Sequence, residues 1–126
     1  FFLFGHPSET KKNMIETMEF AKKINVDYVS FGIVVPIPRS GTFNQALKEK
    51  KINNNIWRDV ILGKKEVPFY APRDIPLDFM KELRIKANRS FYLRPKYILE
   101  QLTRIRSISD LLFRAKWGLN LLFNRG

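Results

Sequence analysis

Cysteine is absent from this chain, and histidine occurs once, at His6. Disulfides, thiolate metal sites and cysteine nucleophiles are therefore excluded from these 126 residues, and one imidazole makes neither a zinc site nor a histidine-based triad. No apolar run approaches the roughly 18 residues that a membrane-spanning helix needs. The first residues also lack the basic region and small-residue cleavage site of a secretory signal. Together these absences predict a cytoplasmic protein. What is present is a hydrophobic content of 44% and an aromatic content of 13%, enough for one folded domain with a real core.

Negative charge is also scarce, with 12 Asp and Glu against 23 Lys and Arg for a net charge of +11. The imbalance is uneven: residues 1–63 hold 9 basic against 6 acidic side chains, whereas residues 64–126 hold 14 against 6. A basic half of this kind suits either a solvated helical face or contact with phosphates on nucleic acid or anionic lipid.

The chain opens with "FFLFGHPSET". Four large apolar residues bounded by Gly5 and Pro7 predict a strand covered on both faces. Such a strand is expected to have neighbours in sequence preceding residue 1, and without them to leave an edge unpaired. Ser8 or Thr10 can cap the next helix, with Glu9 at the positive end of its dipole and Met14, Met18 and Ala21 at helical spacing. That helix is expected to end near Asn25, after Lys22 and Lys23. "VDYVSFGIVV", with five β-branched residues and two aromatics, then predicts a second strand. Strand, helix and strand form a βαβ unit, for which parallel pairing and a right-handed crossover are expected. Ligands in such sheets sit beyond the carboxyl ends of the strands, here "GHPSET" and "VPIPRSGTF". Gly5 offers no side chain to obstruct a ligand, and amides at the helix start favour anions or polar groups. Pro36 and Pro38 hold the second end extended, and "RSG" adds a cation and a flexible turn.

From Thr42 to Gly63 the pattern is helical, with Phe43, Ala46 and Leu47 on one face and Ile56, Trp57, Val60 and Ile61 after a polar break. Trp57 reads as a packing anchor. Residues 64–76 are proline-rich and predict an extended connector with surface aromatics. The chain thus divides into 1–63, the connector 64–76, and a basic helical extension over 77–126. In that extension Met80, Leu83, Ala87 and Phe91 share a face as far as Pro95. A second segment carries Ile98, Leu99, Leu102 and Ile105. A third opens at "SISD", capped by Ser107 or Ser109, and runs through Leu111, Leu112, Ala115, Leu119 and Leu122. These helices can pack on one another, or, flanked by Arg104, Arg106, Arg114 and Lys116, lie on an anionic membrane or bind RNA.

Three stretches resemble a known family. "FFLFGHPSET" resembles the strand and turn F-I-x-G-x-P-G-E-T of radical S-adenosylmethionine (SAM) enzymes. "DYVSFGIVVPIPRSGTFNQALKEKKI" is similar to their next strand, which runs into P-x-P-G-T-x-L-Y. "MKELRIKANRSFYLRPKYILEQLTRIRS" is similar to the segment that follows the barrel in the group often carrying an N-terminal cobalamin-binding domain, where R-x-F-Y-x-R-P recurs. Two departures stand out: Ser8 replaces the usual glycine of the turn, and "PRSGT" has one residue more than "PGT".

The resemblance implies an α/β fold, the C-terminal fragment of a partial (β/α)6 TIM-like barrel. This chain would supply the last two parallel strands and a crossover helix, followed by an α-helical extension. It implies S-adenosylmethionine and a 4Fe-4S cluster as cofactors, with cobalamin in the full-length protein of that group. The cluster ligands would lie in the missing N-terminal barrel half, the first expected partner, and the fragment would be inactive alone. The whole enzyme would cleave SAM reductively for radical chemistry, methyl transfer included, on an unknown substrate. The cofactor-binding residues so implied are Phe4, Gly5, His6, Val34, Val35 and Pro36. His6 reads either as a general acid or base or as an exposed turn residue, and Arg94 either as a partner for an anion or as a donor to free helix carbonyls.

Overall fold

The computed structural model describes residues 1–24 and 26–103, with residues 109, 112 and 116 beyond them. The expected boundary at Asn25, Ile105 of the second C-terminal segment, the flanking Arg104, Arg106 and Arg114, the Ser107 cap, and most of the third helix, including Leu111, Ala115, Leu119 and Leu122, lie outside the described residues. The elements are β1 (Phe2–Phe4), α1 (Lys11–Lys23), β2 (Phe31–Ile33), α2 (Gly41–Lys48), α3 (Ile56–Ile61), α4 (Leu77–Tyr92) and α5 (Pro95–Thr103). No helix among the described residues is long and apolar enough to cross a membrane.

Alternation of side chains along β1 and β2 decides how the sheet is covered. The strands pair in parallel, Phe2 opposite Phe31, Leu3 opposite Gly32 and Phe4 opposite Ile33, in a two-stranded sheet with α1 between them in sequence. Phe2 and Phe4 both stack on Phe31, with centroids 5.5 and 5.7 Å away. That face joins Met14, Met18 and Ala21 of α1 and Met80, Leu83, Ala87 and Phe91 of α4 in one hydrophobic cluster. The opposite face carries Leu3 and Gly32, and Leu3 is 58% exposed. Cover on both faces, expected for Phe1 to Phe4, is therefore absent among the described residues. Both helices contribute to the same face, and Phe1 and Leu3 remain in solvent.

Helix α1 starts where Thr10 caps it: the Thr10 hydroxyl accepts from Asn13 N while the Asn13 side chain bonds back to Thr10 N. Its apolar positions at 14, 18 and 21 are those that reach the core. Helix α4 follows Pro76, a residue whose fixed φ and missing N–H suit a helix start, and its buried row is the Met80, Leu83, Ala87, Phe91 series. The second strand is shorter than the "VDYVSFGIVV" run suggests. Pairing spans Phe31–Ile33, with Phe2 N also donating to Ser30 O at 2.9 Å, while Val29 and Asp27 before it are held by side chains of α4 and α5.

Those side chains come from the "RSFYLRPKY" stretch. The buried Tyr92 hydroxyl accepts from Val29 N at 3.0 Å and donates to Val29 O, and burial raises its pKa. Tyr97 donates to Asp27 O at 3.1 Å. Arg94 donates to Lys22 O at the end of α1 and to Phe91 O, and its guanidinium lies 4.0 Å from the Phe91 ring centroid. Of the two readings for Arg94, the bond to free helix carbonyls is the one observed.

Candidate functional site

The carboxyl ends of β1 and β2 lie side by side, joined by Val34 N donating to Phe4 O at 2.8 Å. That bond brings the six residues singled out from sequence into one neighbourhood, though they do different things there. Phe4 is fully buried in the cluster and presents only backbone to the strand ends. Gly5 has φ +103, and a Cβ built on it would lie 2.7 Å from both Met80 Cε and Tyr70 O. Its missing side chain therefore makes room for the protein's own Met80 and Tyr70 rather than for a ligand.

The amides of this turn are also occupied. Glu9 Oε2 accepts from Gly5 N at 2.7 Å and from His6 N at 3.2 Å, while Glu9 N donates to His6 O. Glu9 precedes the Thr10 cap, so its carboxylate closes the turn instead of facing the α1 dipole as expected. His6 is exposed, with Nδ1 3.0 Å from Ser8 Oγ. Ser8, where the family turn has glycine, thus partners the one histidine.

The β2 side is pinned from a direction the sequence did not suggest. Tyr70 N donates to Val34 O at 2.8 Å, and Trp57 Nε1 donates to Pro36 O at 2.8 Å. Pro36 itself is fully buried. Between these two anchored residues Val35 is half-buried, and among the described residues its backbone N–H and C=O make no recorded hydrogen bond. Both groups are therefore free to bond water or another molecule.

Tyr70 is itself held by a charged group of side chains. Its hydroxyl donates to Glu49 Oε2 and Oε1 at 3.1 and 3.2 Å. Glu49 also accepts from Gln45 Nε2 at 2.7 Å and pairs with Lys51 Nζ at 2.8 Å. Lys51 in turn donates to Ala71 O and lies 4.9 Å from the Tyr70 ring centroid. The Lys51 ammonium first, and the Gln45 amide after it, hold the Glu49 carboxyl down at about 2, with the Tyr70 hydroxyl acting in the same direction. Burial, and then the Glu49 carboxylate, push the Tyr70 phenol up to about 12. Sequence reading placed the connector aromatics on the surface; Phe69 is exposed, but Tyr70 is only 2% exposed. The prolines flanking "FYA" were the available signal that this stretch is held in place.

No group of three His, Cys, Asp or Glu that could hold a metal ion occurs among the described residues. With no cysteine in the sequence either, these residues do not fit an iron–sulfur cluster.

The chain is 30% identical over 101 residues to an uncharacterised methyltransferase of Pyrococcus horikoshii. The match covers 80% of this chain but 21% of that protein, so the chain spans about a fifth of its relative's length. No family profile matches the chain, and no solved structure matches it. The similarity is to a methyltransferase.

Proposed function

We propose that this chain is the C-terminal part of a radical S-adenosylmethionine enzyme and forms the adenosine side of its cofactor site. The sheet would then be the last two strands of a partial (β/α)6 barrel, whose other strands continue from the free edge of β1. The bare face bearing Leu3 and Gly32 would look into that barrel.

The observation that carries this reading is the Val35 backbone, without a hydrogen-bond partner among the described residues and next to Val34, whose N–H bonds the end of β1. Adenine presents an exocyclic amino donor next to a ring acceptor, which matches a strand residue's C=O and N–H. Similarity to a methyltransferase over four-fifths of the chain supports methyl transfer as the overall reaction and SAM as the group bound. The cluster, and any cobalamin, would be held by other parts of the protein. SAM, when bound, would supply methyl-transfer or radical chemistry. The residues of this chain orient the adenosine and shield it: Val35 through its backbone, His6 from the β1 turn, and Val34 by apolar contact.

The test uses the protein expressed from its natural gene, prepared anaerobically and titrated by calorimetry with S-adenosylhomocysteine and with its inosine counterpart. The expected result is saturable binding of the adenosine compound and binding of the inosine compound weaker by at least about tenfold, because a carbonyl acceptor replaces the amino donor that would meet the Val35 C=O. Equal affinity for the two, or none for either, overturns the assignment.

A further inference from the structure

The connector between α3 and α4 crosses the strand ends rather than passing beside them. Tyr70 touches both strands' ends at once: its N–H bonds Val34 O, and its carbonyl lies where a Gly5 side chain would begin. Its ring and hydroxyl reach the other way, to Glu49 and Lys51 after α2. Lys51 fastens the neighbouring residue by its bond to Ala71 O. One tyrosine therefore ties three separate pieces of chain: the turn after β1, the end of β2 and the segment after α2.

The consequence falls on Val35. Its N–H and C=O keep one direction only if the residues on both sides are fixed. Val34 is fixed by Phe4 and Tyr70, and Pro36 by Trp57. We propose that residues 68–72 form a strap across the C-terminal ends of β1 and β2, latched by Glu49 and Lys51, and that Tyr70 and Trp57 are positioning residues that aim the Val35 backbone at the adenosine. The positioning role rests on the functional reading above, whereas the strap does not.

Preorganisation gives this arrangement its value. A donor and acceptor held in place before binding spare the ligand the cost of ordering them. Neither Tyr70 nor Trp57 needs to touch the adenosine for this to hold. The latch is polar and sits at the rim, so loosening it leaves the apolar cluster beneath α1 and α4 intact.

Tyr70→Phe and Trp57→Phe test this in the natural-gene protein, since each keeps an aromatic side chain and removes one donor, Trp57→Phe at the cost of some volume. Hydrogen exchange is followed at the amide of position 70 and at core amides of α1 and α4, alongside S-adenosylhomocysteine titration. Tyr70→Phe is expected to speed exchange at position 70 by about tenfold, with core exchange unchanged, because a bond to a charged acceptor is lost. Each substitution is expected to weaken binding of S-adenosylhomocysteine by about five- to tenfold, and Glu49→Gln less, since its amide oxygen still accepts from Tyr70. Unchanged exchange at position 70 overturns the strap, and so does acceleration at position 70 and in the core by the same factor. If the unsubstituted protein binds and every variant binds equally, the positioning role fails while the functional reading stands. If the unsubstituted protein does not bind, both the functional reading and the positioning role fall, and exchange at position 70 still decides the strap.

Discussion

The two ends of β2 are fastened in opposite ways. Before the strand, Val29 is held by the buried phenol of Tyr92, Asp27 by Tyr97, and the end of α1 by Arg94, all packed around Phe91. After the strand, Val34 is held through Tyr70, whose hydroxyl ends on the charged Glu49 and Lys51 pair near solvent. The first fastening belongs to the hydrophobic cluster and cannot open without disturbing it. The second lies outside that cluster and ends on a charged pair. A site that offers backbone groups already held in place can be built at this second end without drawing on the core.

Breaking the first end should cost most. Phe91→Ala removes a fully buried ring from the cluster and from its edge contacts with Tyr92 and Tyr97, and should destabilise the fold by about 3–5 kcal/mol in denaturant titration. A loss under about 1 kcal/mol would mean that Phe91 is not a core residue. At the other end, Gly5→Ala places a Cβ 2.7 Å from the Tyr70 carbonyl at a φ that L residues avoid. Its expected cost is about 2–4 kcal/mol by the same measurement, and a neutral result would show that the strap can shift at no cost.

Tyr92→Phe sharpens the contrast. It strands Val29 N–H and C=O in an apolar surrounding and should cost about 1–3 kcal/mol. Tyr70→Phe should change global stability less, because Glu49 keeps Lys51 and Gln45 as partners.

Acid should act on the second end. Glu49 has a folded pKa of about 2, below its ordinary value of 4.5. Its stabilising contribution is therefore complete above that ordinary value and is lost as pH falls toward about 2. Tyr70 runs the other way: with a folded pKa of about 12 against 10.0, its contribution is complete below pH 10 and is lost as pH rises through about 12. Between those limits Glu49→Gln should leave the pH profile of thermal unfolding flat, and it should remove the acid slope that the unsubstituted protein shows at low pH. An identical acid slope in the variant would assign it to other carboxylates.

The smallest effect expected is a gain. Arg39 sits at φ 69 in the turn after β2, and Arg39→Gly relieves that strain by about 1 kcal/mol. No rise in melting temperature would indicate that the arginine side chain offsets the strain.

Helical periodicity carried much of the fold. Met14, Met18 and Ala21, and later Met80, Leu83, Ala87 and Phe91, are buried where their spacing places them, since one stripe of a helix faces the core whatever its neighbour is. Strand extent was not legible, because "VDYVSFGIVV" has strand propensity throughout while pairing depends on which backbone groups α4 and α5 claim. The six candidate residues do surround the strand ends, but their division of labour was hidden. Glu9 turns back onto Gly5 and His6, and Met80 and Tyr70 fill the space beside Gly5. The first is a local turn bond that competes with the helix dipole for the Glu9 carboxylate, and the second depends on contacts across the fold that no local pattern encodes. The Glu49, Lys51 and Tyr70 latch was missed for the same reason: Tyr70 lies 21 residues from its acceptor.

The most direct measurement is amide exchange across residues 31–38 of the natural-gene protein, with and without saturating S-adenosylhomocysteine. Binding at the proposed adenosine site predicts that the Val35 amide, unpaired in the free protein, becomes protected while core amides do not change. Binding without protection at Val35, or no binding at all, would contradict it.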